Sequence, residues 1–146
     1  MEMDGRLFLG TARFLRNNGS DEAAFRSAVS RAYYACFLAA RDVLFAACGP
    51  EARSKEQIRK ERDIRHEPLQ RYLKYGSVEK VQEIGEILAA LHGNRKDADY
   101  DMKKRITADD AEDAIEEADY LINLLSEIPK EEVGKAIDNY VRTVYP

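Results

Sequence analysis

The chain has 146 residues, of which 45% are hydrophobic and 34% charged, and its formal charge is −4. That length suits one domain over residues 1–146, and the composition is that of a soluble, helix-favouring protein. No apolar run approaches the roughly 18 residues of a membrane span, and the negative charge speaks against holding nucleic acid by bulk electrostatics.

Helical periodicity runs almost end to end, with no alternating strand pattern. Leu7, Phe8, Thr11, Phe14 and Leu15 form a first amphipathic stripe, stopped by "NNGS". Ser20 then reads as the cap of a long helix over 21–47, with Asp21 and Glu22 in its first turn. One face of it carries Phe25, Val29, Ala32, Tyr33, Cys36, Phe37, Ala40 and Leu44. A second stripe carries Arg31, Tyr34, Leu38 and Arg41, so this helix is expected to pack on two sides, at the centre of the bundle. Residues 49–61 lack an apolar period and read as a connection, followed by a short helix around "IRHEPLQRYLKYG", closed by Gly76. The next helix begins near Val78 with a stripe of Val81, Ile84, Leu88 and Leu91. Thr107 and Asp110 form a capping-box start for a helix with Ala111, Ala114, Ile115, Ala118, Leu121, Ile122 and Leu125 on its stripe. Pro129 opens a last helix, about 129–144, with Val133, Ile137, Tyr140 and Val144. The predicted fold is all-α: an up-and-down antiparallel bundle of five to six helices, its core about 6–127.

Charge is unevenly placed. Basic residues crowd 53–74, and acidic ones crowd 109–119, from Asp109 to Asp119. Either these are solvated faces, or they form a basic rim for phosphates and an acidic face for a basic partner. Cys36 and Cys48 lie about 18 Å apart if one helix spans both, from roughly 1.5 Å of rise per residue, so they cannot bridge. The opening "MEMDGRLFLG" carries acids where a signal peptide carries lysine or arginine, and a reducing cytoplasm is the expected compartment. No metal or cofactor is expected: two histidines and two dispersed cysteines make no zinc site, and no glycine loop cradles a phosphate.

One stretch breaks the core pattern. Extending the stripe 81, 84, 88, 91 brings Arg95 to a leucine position, within "LHGNRKDADYD". Asp99 follows at the spacing that lets a carboxylate meet a guanidinium. His92 lies one turn before Arg95, and Tyr100 flanks the same turn. A buried arginine is costly unless paired. The pair therefore either ties this helix to the bundle or to a second subunit, or faces a cleft in which Arg95 binds phosphate. In the second case His92 or Tyr100 would move a proton. Arg31, three residues before Tyr34, is a candidate to join the same pocket.

"SRAYYACFLAARDVL" at 30–44 and "RKDADYD" at 95–101 resemble the two signature stretches of the HEPN family, in particular its small stand-alone prokaryotic branch. His66 also sits about where that branch has a histidine, and the resemblance spans roughly 6–127. It implies about five helices, a homodimer built on the arginine-motif helix, and a two-gene toxin–antitoxin arrangement. The partner would be a nucleotidyltransferase antitoxin, and the ligand RNA or nucleotide. In the family's ribonucleases an arginine, four to six residues and a histidine cut RNA without metal. Here Arg95 matches the arginine, but Tyr100 stands in the histidine's place and no histidine follows. The resemblance therefore implies a nucleotide- or RNA-binding dimer, with a metal-independent endoribonuclease or a non-catalytic scaffold as the alternatives.

Overall fold

A computed structural model describes residues 3–47, 73–74 and 79–144. Five helices pack together with no strand among the described residues: α1 Leu7–Asn18, α2 Glu22–Ala47, α3 Glu79–Tyr100, α4 Ala108–Glu127 and α5 Lys130–Val144. Cys48, the 49–61 connection and the short helix with His66 lie outside the described residues. Of that segment only Leu73 and Lys74 are described; both are helical, with Leu73 buried.

Helix α2 touches each of the other four. Seven of its eight predicted stripe residues are buried, Phe25 being half-buried. Arg26, Ala28, Ser30, Ala35 and Ala39 are buried as well, so α2 is enclosed round most of its circumference. Small alanines make this possible, because they let neighbouring helices approach without cavities.

The α1 stripe is rotated from the predicted one. Leu9 and Ala12 face the core, Phe8 and Leu15 pack at its edge, and Leu7, Thr11 and Phe14 face solvent. A twelve-residue helix with apolar side chains on several faces does not reveal its buried face by spacing alone. The cap of α2 is also one residue later than predicted: the Asp21 carboxylate, rather than Ser20, accepts the Ala24 N–H at 2.9 Å. Between α1 and α2 the chain turns tightly at Gly19, where a Cβ would lie 2.2 Å from that of Ala24.

On α4 the predicted capping box is formed, with Thr107 and Asp110 each accepting the other's backbone N–H. Its stripe is buried except for half-buried Ile122. Part of its acidic face is used internally: Glu112 pairs with Arg16 at 2.9 Å and Asp119 with Arg13 at 3.2 Å, joining α4 to α1. Asp109, Asp113 and Glu116 remain exposed. Helix α5 starts one residue after Pro129 and buries Val133, Ala136, Ile137 and Tyr140. No helix among the described residues is long and apolar enough to cross a membrane.

Burial also sets an alkaline limit. It pushes the Tyr33 phenol well above its ordinary range, with Arg95's charge opposing in part, and it pushes the Cys36 thiol up, helped by Glu117. Both folded-state values exceed the unfolded ones. Their contribution is therefore complete below the ordinary thiol and phenol ranges, about 8.5 and about 10, and is lost as pH rises beyond them. Urea midpoints taken from pH 8 to 11 should fall progressively, and Tyr33→Phe should flatten the upper part of that fall. An unchanged profile in Tyr33→Phe would show that this phenol does not limit alkaline stability.

Candidate functional site

The core stripe of α3 continues as the spacing predicts through Val81, Ile84, Leu88 and Leu91, all fully buried. One turn later Arg95 takes the stripe position with its side chain 14% exposed, and Asp99 is 27% exposed. Arg95 Nε lies 3.0 Å from Asp99 Oδ2. Its N–H is not aimed at that oxygen, so the contact is one of charge without an aligned hydrogen bond. The aligned bond runs the other way, from Arg95 Nη2 to the Tyr34 hydroxyl at 2.7 Å. Ser30, buried on α2, donates to Asp99 at 3.3 Å.

Around this pair the side chains form a ladder. The Arg31 guanidinium lies 5.3 Å from the Phe8 ring centre and 5.1 Å from that of Tyr34. Arg95 lies 5.2 Å from Tyr34 and 5.8 Å from Tyr100. Aromatic and cation thus alternate from α1 across α2 to the end of α3, each step within the range of a cation–π contact. The ladder ends at Tyr100, which is 72% exposed.

The two tyrosines of α2 divide as adjacent residues on a helix must, about 100° apart. Tyr33 is fully buried and Tyr34 half-buried. Their rings meet edge-on at 5.5 Å. Beneath them Tyr33 stacks on His92 at 5.3 Å. His92, one turn before Arg95 on α3, is therefore 8% exposed and interior. Of the residues that the sequence nominates, Arg31, Tyr34, Arg95, Asp99 and Tyr100 come together. His92 lies against the back of the cluster through Tyr33, and His66 is outside the described residues.

One organising residue is not among those that the sequence nominates. Arg26, 9% exposed on α2, donates to the carbonyls of Asp97 at 3.2 Å and Ala98 at 2.9 Å, and to that of Lys104. It also pairs with Glu22 at 3.3 Å, whose other oxygen accepts the Ile106 N–H at 3.0 Å. The last turn of α3 holds aspartates and no basic residue, an unfavourable arrangement at the negative end of a helix dipole. Arg26 supplies the missing cation from a neighbouring helix and satisfies carbonyls that the helix end leaves open. The signal was an arginine on α2 between core positions, but its acceptors are backbone atoms far along the chain.

Concavities flank the bundle among the described residues. One, of about 360 Å³, is lined by Ala39, Val43, Ile122 and Ile128 with Arg6 and Lys130, and none of the ladder residues borders it. A smaller cleft of about 140 Å³ lies beside α3 and is lined by Asn94, Asp97, Lys104, Asp110, Asp113 and Glu117. Among the described residues no group of three or more His, Cys, Asp or Glu side chains is placed to hold a metal ion.

A family model described as "HEPN domain" matches residues 5–128. No curated protein and no solved structure matches the chain.

Proposed function

The chain belongs to the HEPN domain family, whose members are typically ribonucleases or partners of nucleotidyltransferases, and we propose that it is a nucleotide- or RNA-binding dimer acting with a nucleotidyltransferase in a toxin–antitoxin-type pair. The observation that carries the binding reading is the ladder that Arg95 organises. It joins two guanidiniums to an exposed aromatic ring on a chain whose overall charge is negative. Guanidinium edges suit phosphate oxygens, and an exposed tyrosine gives a base a flat surface to stack on.

Binding is favoured over cleavage by what stands beside Arg95. Scission through a ribose 2′-hydroxyl needs a group that takes up a proton near neutral pH. Tyr100, a phenol, holds the place in the motif where the family's ribonucleases carry an imidazole. His92 is interior, stacked on Tyr33.

The test is a short labelled single-stranded RNA in chelator, followed for binding and for cleavage, with Arg95→Ala, His92→Ala and Tyr100→Phe alongside. The expected result is salt-sensitive binding without cleavage, weakened at least ten-fold in Arg95→Ala. Cleavage that disappears in Arg95→Ala would make the protein a metal-independent ribonuclease. Neither binding nor cleavage would leave a scaffold whose polar cluster fixes a dimer.

A further inference from the structure

The two arginines of the ladder are not in the same electrostatic situation. Arg95 is engaged on both sides: its Nε lies against the Asp99 carboxylate and its Nη2 donates to Tyr34. Asp99 neutralises its charge, and Ser30 holds Asp99 in place. Among the described residues Arg31 has neither kind of partner. It is half-buried, held between the faces of Phe8 and Tyr34, and no carboxylate lies within ion-pair distance of it among the described residues. Stacking occupies the faces of a guanidinium and leaves its N–H groups, which radiate in the plane, for acceptors. Counting Arg31, Arg95 and Asp99 together, one positive charge is left without a carboxylate among the described residues, and it resides on Arg31.

We infer that Arg31, rather than the motif arginine, makes the direct phosphate contact at this site. Arg95 is then a positioning residue, setting Tyr34 under Arg31 and Tyr100 at the exposed end. The ligand class that fits is a single-stranded phosphodiester with a base beside the bound phosphate. The phosphate meets the Arg31 edge, and the base stacks on Tyr100, most of whose ring is open to solvent. This assignment rests on the nucleotide- or RNA-binding reading above and deepens it.

The two arginines predict different salt behaviour. Neutralising a phosphate releases a counterion, so removing one direct contact lowers the slope of log affinity against log salt by about one. Removing a residue that acts through others lowers affinity and leaves the slope in place. The experiment is a salt series with a short labelled oligouridylate on the full chain. Arg31→Gln and Arg31→Met remove the charge, Met keeping an apolar stem against both rings. Arg31→Lys restores the charge without the fork, and Arg95→Gln is the comparison. Thermal melts monitor the fold of each.

The expected result is about ten-fold weaker binding and a slope lower by about one in Arg31→Gln and Arg31→Met, both still folded and melting cooperatively. Arg31→Lys should recover the slope. Arg95→Gln should melt earlier and bind more weakly, but with the wild-type slope. A wild-type slope in both neutral Arg31 variants, or a slope lost in Arg95→Gln instead, overturns the assignment while RNA binding itself stands. Absence of salt-dependent binding by the wild-type chain removes the binding reading and this assignment together.

Discussion

Replacing Arg26 by alanine is expected to lower the unfolding free energy by about 3 kcal/mol, the upper value for one hydrogen bond to a charged group. Its guanidinium donates to three carbonyls, but their contributions should not be summed. Only the bond to Ala98 is fully buried, and water can reach the other two carbonyls once the side chain is gone. The Glu22 pair adds little, because that carboxylate is 44% exposed. Arg26→Lys should recover less than half of the loss, since an ammonium does not reproduce the fork that spans carbonyls on two segments. Urea unfolding measures the loss. Amide exchange should show its local consequence, faster exchange at residues 98–101 and at Ile106. A loss under about 1 kcal/mol would show that packing alone fixes the end of α3, and that Arg26 is incidental to it.

The second large effect is at Arg95 itself. Arg95→Met should destabilise the fold by about 2 kcal/mol, because it leaves Asp99 a partly buried carboxylate without its cation. It should also weaken RNA binding at least ten-fold. Stability and function are separated by the double variant Arg95→Met, Asp99→Leu. Replacing both members of such a pair with apolar groups is often neutral or stabilising, so the double variant is expected to regain most of the lost stability. Its RNA binding should remain as weak as that of the single variant, because Tyr34 and Tyr100 have lost the cation between them. Recovery of both stability and binding would mean that the pair only fastens α3 to the bundle.

Much of this site was legible for a definable reason. Arg95 and Asp99 share a helix, so their meeting follows from 3.6-residue periodicity. Their departure from the leucine pattern marked them out. The grouping of Arg31 with Tyr34 is equally local. The resemblance of "SRAYYACFLAARDVL" and "RKDADYD" to HEPN signatures, over roughly 6–127, is matched by the family model at 5–128. Where the reading failed, two local solutions were close in energy. Ser20 and Asp21 both cap helices well, and α1 carries apolar residues on both the face it buries and the face it exposes.

The pattern of apolar residues was sufficient for five of the helices, for α2 as their centre, and for an ion pair at the end of α3, since each depends on spacing within one segment. Helix packing settled the rest. It turned His92 inward against Tyr33, placed Arg31 between Phe8 and Tyr34, and carried Arg26 to carbonyls 71 to 78 residues away in sequence. Backbone carbonyls are identical at every position, so no sequence pattern can name them as acceptors. Only the packing of α2 against the end of α3 and the connection that follows it makes those three carbonyls the partners of that one arginine.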